Sequence, residues 1–332
     1  MALNIIDIAK LAGVSKSTIS RYFNNGYVGE ESRNKIQKVL DETGFHPQRQ
    51  AKSMRTKKTN LIGVIVPKIS SETIARIVEG MTDVFSPKGY DVLIANTNLS
   101  IEKEIEYLNI FKNNNVDGIM FVATKVTDKH IKAMKASQVP IVVVGQEIED
   151  YPSVYHDDYN AAKESTKYLI EKGHRNIGFI GVYEEDISVG YYRKQGYIDA
   201  LIESGIDATM DNIKIGQFSE DSGYNLTKEL ISNENKPTAI LAVTDNIAVG
   251  VIEYLRENNY KVPEDIAVMG MGDSRISKVV TPKLTTVHFN YKTSGARSAE
   301  IMYGILAGET SPTKNMYKNI KLNYGLIERD SI

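Results

Sequence analysis

The 332-residue chain predicts an α/β protein with a three-helix head followed by a two-lobed body, each lobe a doubly wound sheet. Three observations carry this prediction. Lysine and arginine outnumber acids by 11 to 5 over residues 1–59, a balance of +6, whereas the remainder carries 29 against 37, a balance of −8. Within the basic part, apolar residues recur only at helical spacing. From Leu61 onward, short and almost continuously apolar runs alternate with amphipathic stretches, the pattern of parallel strands covered on both faces by helices. The net charge of −2 conceals the asymmetry, and only the head is suited to a polyanion.

In the head, Ile5, Ile8, Ala9 and Ala12 mark a short helix that Asn4 can cap. Gly13 supplies a tight turn and Val14 tucks inward. Ser15 suits the N-cap of a second helix, SKSTISRYFNN, with Ile19 and Tyr22 or Phe23 toward the first. A third helix, roughly Glu30 to Thr43 and ended by Pro47, aligns Ile36, Val39 and Leu40 on one face. Two short helices joined by a glycine turn and braced by a third form a helix-turn-helix.

The second helix carries the chemistry. Lys16, Ser17, Ser20 and Arg21 project from the turns that a major groove admits, where such side chains read base edges or bond phosphates. Ser15, Thr18 and Asn24 join them as candidate DNA contacts on the same helix. The alternative is a three-helix cap bearing solvated charges. Beyond it, HPQRQAKSMRTKKTN (His46–Asn60) crowds Arg49, Lys52, Arg55, Lys57 and Lys58. This stretch is either a solvated basic linker or a helix around Gln50–Met54 that folds only against DNA.

In the body, LIGVIVP (ending at Pro67) precedes a helix with Ile74, Ile77, Val78, Met81 and Phe85 on one face. DVLIANT, VDGIMFVAT, VPIVVVGQ, NIGFIGV, NIKIGQF, TAILAVTD and IAVMGMGD repeat the theme. About eight such units are too many for one comfortable open sheet, and the pattern breaks near Tyr151–Tyr159. Two lobes follow. LTTVHFN (Leu284–Asn290) and the helix after it, Tyr291–Ala307, return the chain toward the first lobe. The expected division is a head at 1–46, a linker at 47–60 and a body at 61–332. Its N-lobe spans about 61–157 and 290–318, its C-lobe about 158–289 and 319–330. Ligands of open α/β sheets sit beyond the carboxyl ends of the strands, so facing lobes would enclose one between them and close about a hinge.

Other classes are excluded by what the chain lacks. With no cysteine there is no disulfide, thiolate nucleophile or thiolate metal site. No GxGxxG, GxxxxGK[ST] or GxSxG motif occurs, and the histidines lack metal-ligand spacing, so no enzyme, cofactor or metal is expected. Asp7 and Lys10 interrupt the apolar start, and no stretch approaches the roughly 20 apolar residues of a membrane span. A soluble, cytoplasmic protein is expected.

DIAKLAGVSKSTISRYFN, RNKIQKVLDETGFHPQRQAKSM, YLIEKGHRNIGFIG, YYRKQGYIDAL, TDNIAVGVIEYLRENNYKVPEDIAVMGMGD and PKLTTVHFNY stand in this order along the chain. On these segments the sequence resembles the LacI/GalR family of bacterial transcription regulators. The resemblance implies a periplasmic-binding-protein-like body behind a DNA reader. It implies a homodimeric repressor of a sugar-utilisation operon, bound to a pseudo-palindromic operator and controlled by a sugar or sugar phosphate in the cleft. By the same matching, Lys16 and Ser17 are the base-reading pair and Arg21 a neighbouring contact. Arg49–Arg55, with Ala51 and Lys52, match a hinge helix in the minor groove. Met54 stands where most members have a leucine that wedges between base steps, or else it is a contact between protomers.

Arg193 matches an effector-binding arginine able to grip vicinal hydroxyls; otherwise it is a surface residue pairing with Asp186 or Glu185. Phe218 matches an aromatic pocket wall or belongs to the core. Tyr291, Thr244 and Gln146 fall at or beside the cleft. The sequence departs from the family at GMGDS, where Gly272 replaces an acid and leaves Asp273, and at Thr244, which replaces a frequent asparagine. These changes thin the anchors for a monosaccharide and make a disaccharide or phosphorylated sugar plausible. A sucrose-type operon is the leaning. His156, Asp157 and Asp158 offer replacement contacts or form a solvated acidic loop. The competing reading is a global catabolite regulator that answers to a phosphocarrier protein. Ala299, aligned where those regulators carry a contacting arginine, speaks against it.

Overall fold

The computed structural model describes residues 3–23, 26–45, 58–113, 116–232, 235–309 and 319–332. The chain divides into two compact units, residues 1–59 and 60–332.

In the first unit, α1 (Ile5–Leu11), α2 (Lys16–Phe23) and α3 (Glu30–Thr43) surround the fully buried side chains of Ile8, Ile19 and Ile36. Asn4 caps α1 reciprocally. Its Oδ1 accepts from the Ile6 and Asp7 amides at 2.8 and 3.2 Å, and its own amide donates to Asp7 Oδ2 at 3.0 Å. Ser15 Oγ accepts from the Thr18 amide at 3.1 Å, which satisfies one of the orphan donors of α2. One expectation is corrected here. Helix α3 stops at Gly44, whose φ of 61° is the left-handed region and whose amide donates to the Leu40 carbonyl at 2.9 Å. The helix is therefore ended by a glycine cap, before Pro47.

The second unit holds two six-stranded sheets. The first contains β1 (Leu61–Val66), β2 (Asp91–Asn96), β3 (Gly118–Val122), β4 (Ile141–Val144) and β5 (Ser153–His156). Helices α4 (Glu72–Phe85), α5 (Ile101–Asn113) and α6 (Asp128–Lys135) cover it. The second contains β6 (Ile177–Val182), β7 (Ile213–Gly216), β8 (Ala239–Ala242), β9 (Ala267–Met271) and β10 (Thr285–Phe289). It is flanked by α7 (Asp158–Glu171), α8 (Arg193–Glu203), α9 (Glu220–Ile231) and α10 (Asp245–Glu257). Both lobes repeat one parallel order, β2-β1-β3-β4-β5 and β7-β6-β8-β9-β10. Strands β1, β3, β4, β6, β8 and β9 are buried almost throughout, as near-continuous apolar runs require.

Among the described residues the chain crosses between lobes three times. It leaves the first sheet after β5 at Asp157, and returns at Asn290 to build α11 (Tyr291–Leu306) against α4. It then adds β11 (Ile320–Leu322) beside β5 and passes at Asn323 into β12 (Tyr324–Ile327), antiparallel to β10. The expected boundary at 319 therefore moves to Asn323, and Leu284–Asn290 contributes its strand to the second lobe. The break near Tyr151–Tyr159 contains a strand, β5, too short to stand out as an apolar run.

Candidate functional site

Helix α2 presents Lys16, Ser17 and Arg21 to solvent while Ile19 points into the core, and its first turn carries no acid. Ser15 Oγ lies 2.7 Å from Ser17 Oγ and 2.8 Å from Thr18 Oγ1, so the hydroxyls at the helix start form one cluster. Ser20 is half-buried. A cationic, hydroxyl-lined first turn at the positive end of a helix suits a phosphate-bearing groove. Asn24, Arg49, Ala51, Lys52, Met54 and Arg55 lie outside the described residues.

In the body, each candidate residue but Arg193 follows the carboxyl end of a strand. Gln146 follows β4, Phe218 follows β7, Thr244 follows β8, Asp273 follows β9 and Tyr291 follows β10. Arg193 opens α8 after a single wide π-helical turn, Ile187–Tyr192. It is 3% exposed, and among the described residues it is the one buried lysine or arginine. Its Nε donates to Asp158 Oδ1 at 2.8 Å, Nη2 forms an ion pair with the same oxygen at 2.6 Å, and Nη1 donates to the Val243 carbonyl at 2.5 Å. The guanidinium lies 4.6 Å over the Phe289 ring. Burial opposes its charge, but Asp158 and Tyr291 hold its pKa above the ordinary value.

Two sequence expectations change. The partner of Arg193 is Asp158, not Asp186 or Glu185. The HDD run is also no solvated loop, since His156 and Asp158 are buried and Asp157 caps α7. His156 sits edge-on to Phe289 and Tyr291, at 5.3 and 5.1 Å, and burial with the nearby Arg193 charge pushes its pKa down to about 4.

The GMGDS turn is built differently from a pair of ligand-facing acids. Gly272 adopts a φ of 145° and Asp273 a φ of 45°, a conformation in which an L side chain at 272 would be strained. A Cβ at Gly272 would stand 3.4 Å from Asp245 Oδ2, so the buried Asp245 carboxylate backs this turn. Asp245 accepts from Thr286 Oγ1 at 2.5 Å and from the Ser274 amide and hydroxyl at 2.6 and 2.7 Å. Asp273 is occupied by Arg329 at 2.5 Å and His288 Nδ1 at 2.9 Å. Thr244 caps α10 through Oγ1, which accepts from the Ile247 amide at 3.3 Å. Phe218 packs half-buried against the core of the second lobe, and Gln146 Nε2 donates to the Thr124 carbonyl. Of the candidates, the structure brings Arg193 and Tyr291 together around the Phe289 ring.

Sequence reasoning missed the bonds that cross the cleft. Arg76 on α4 donates to the Asp273 carbonyl at 3.0 Å, while Glu72 accepts from the Arg275 amide at 3.0 and 3.2 Å. At the other edge Ser188 Oγ donates to the Gly145 carbonyl at 2.6 Å. No periodicity or motif marks these residues.

Two family models match the chain: bacterial regulatory proteins of the lacI family over residues 4–48, and a periplasmic binding protein-like domain over residues 166–332. The sucrose operon repressor of Staphylococcus xylosus is 34% identical over 293 residues, covering 88% of this chain and 90% of that one. The chain belongs to the LacI family. Catabolite control protein A of Priestia megaterium is 35% identical over 291 residues, covering 86% and 87% of the two chains. A lac repressor dimer bound to operator shares the fold, with a TM-score of 0.87 at 22% identity and coverage of 100% and 99%. The protein is thus a LacI-family transcriptional repressor with a helix-turn-helix DNA-binding domain. Among the described residues no helix is long and apolar enough to cross a membrane. Ala299 is fully buried in the first lobe, while Lys292, Arg297 and Glu300 are exposed on the same helix.

Proposed function

We propose that this repressor binds a pseudo-palindromic operator as a homodimer and is controlled by a small sugar-like effector in the inter-lobe cleft. The observation that carries the effector site is Arg193, a buried guanidinium held by Asp158 beyond the strand ends, with N–H groups left to bond a ligand oxygen. The exposed Lys16, Ser17 and Arg21 on α2 support groove reading. The edge strand β2 supports self-association, because it exposes Leu93 and Ile94, with Ile69 and Leu99 exposed on loops beside its end. Likeness to the sucrose operon repressor supports a sugar-operon target.

Ligand closure would change the Glu72–Arg275 and Arg76–Asp273 bonds and shift one lobe against the other. Only contacts that differ between the two states can move DNA affinity. Catalysis has no role in this reading, and the site of action is cytoplasmic DNA. Likeness to catabolite control protein A supports a second reading, in which a serine-phosphorylated phosphocarrier stimulates operator binding without a sugar. Selection from a randomised duplex pool tests the proposal. An enriched inverted repeat with half-sites about one helical turn apart is expected; enrichment of no inverted repeat would refute it.

A further inference from the structure

Resting on that cleft reading, we propose that the cleft takes a neutral, polyhydroxylated ligand and rejects phosphorylated sugars, with His156 Nε2 accepting a hydrogen bond from a ligand hydroxyl. The first support is the balance of buried charge. Arg193 is already matched by Asp158. Asp186 lies close enough to feel Asp158 and Arg193, and Asp245 close enough to act on Tyr291. Asp273 is matched by Arg329, with His288 and the half-exposed Lys278 beside it. The groups around Arg193 therefore include no buried cation in excess, and a phosphate would enter against Asp158, Asp186 and Asp245. A charge brought without a partner into a desolvated site is strongly rejected.

The second support is the state of His156. Its Nε2 is buried and has no hydrogen-bond partner, and its ring is held edge-on to Phe289 and Tyr291. In the neutral tautomer with its proton on Nδ1, this Nε2 presents a bare lone pair. Burial keeps the imidazole neutral, and a neutral Nε2 lone pair accepts from O–H but repels a phosphate oxygen. An acceptor left unpaired in the interior is costly, and a hydroxyl donor relieves that cost. Arg193 and Tyr291 supply donors beside this acceptor and Asp158 supplies a second acceptor. A sugar hydroxyl, at once donor and acceptor, matches such a mixed set.

Titration of the full chain by calorimetry tests this with matched probes: sucrose and sucrose 6-phosphate, trehalose and trehalose 6-phosphate, glucose and glucose 6-phosphate, and inorganic phosphate. A neutral member should bind at least about tenfold more tightly than its phosphate. His156→Phe, which keeps an aromatic ring, should weaken it about tenfold or more, and His156→Gln, which restores an acceptor oxygen, should recover part of the loss. Tighter binding of a phosphate, or a Phe variant equal to the wild type, would overturn the inference while leaving the cleft reading intact. Binding that Arg193→Lys leaves unchanged would sink the cleft reading, and binding of no probe would count against both.

Discussion

Replacing Asp158 by asparagine keeps its shape and removes its charge. The carboxylate is 5% exposed and lies 2.6 and 2.8 Å from two nitrogens of Arg193, itself 3% exposed. The variant leaves the guanidinium buried without the carboxylate it bonds. Breaking a buried pair from one side costs about 3–5 kcal/mol, mostly because the remaining charge stays desolvated. An unfolding entropy of about 2 cal/mol/K per residue gives roughly 0.6 kcal/mol/K for a body of roughly 270 residues. The melting temperature of the body should therefore fall by roughly 5–9 °C in differential scanning calorimetry. Asp157→Asn is the control, since it changes the neighbouring cap of α7 and asparagine caps about as well, so a shift under about 2 °C is expected. Asp158→Leu combined with Arg193→Met removes both charges and should recover much of the loss. A melting temperature for Asp158→Asn within about 2 °C of the wild type would refute the reasoning.

Three further outcomes are expected. Gly272→Asp should not create a sugar contact; with φ at 145° and Asp245 behind it, the change should destabilise the body by about 1–3 kcal/mol, and a calorimetric scan reads this directly. His156 titrates near 6.5 when unfolded and near about 4 when folded, so the unfolded state binds more protons between these values. Its contribution to stability is intact above about pH 6.5 and is lost as pH falls toward about 4, by about 3 kcal/mol at most. The difference in unfolding free energy between wild type and His156→Phe should follow that window, and a difference independent of pH would contradict it. Glu72→Ala should raise hydrogen exchange at the Arg275 amide by about tenfold, because that amide donates across the cleft to Glu72; unchanged protection would show that the cross-lobe bond is not formed in solution.

The head and the parallel strands of the body were legible because local rules act there without competition. Asn4, Ser15 and the isoleucines at 8, 19 and 36 form caps and core by spacing alone. The near-continuous apolar runs became buried parallel strands for the same reason. Short polar-flanked strands were not legible. SVYH, IKL and YGLI carry too few apolar residues to signal a strand, and neighbours distant in sequence bring them into the sheets. In the cleft, the position of Arg193 was readable but its partner was not. Asp158 is 35 residues away and is paired only because α7 and α8 pack side by side. Gly272 read as a missing acid, whereas the backbone needs a glycine there and Asp245 holds the charge from another strand end.

The most direct measurement is operator affinity of the full chain by fluorescence anisotropy, on the selected inverted repeat, with and without a neutral sugar that binds the protein. The account predicts an affinity change of about tenfold or more in the wild type, within the usual range of allosteric coupling. It predicts no change in Arg193→Lys, which keeps the charge and loses the planar fork. Equal operator affinity for the wild type in both conditions, or an undiminished response in the variant, would contradict it.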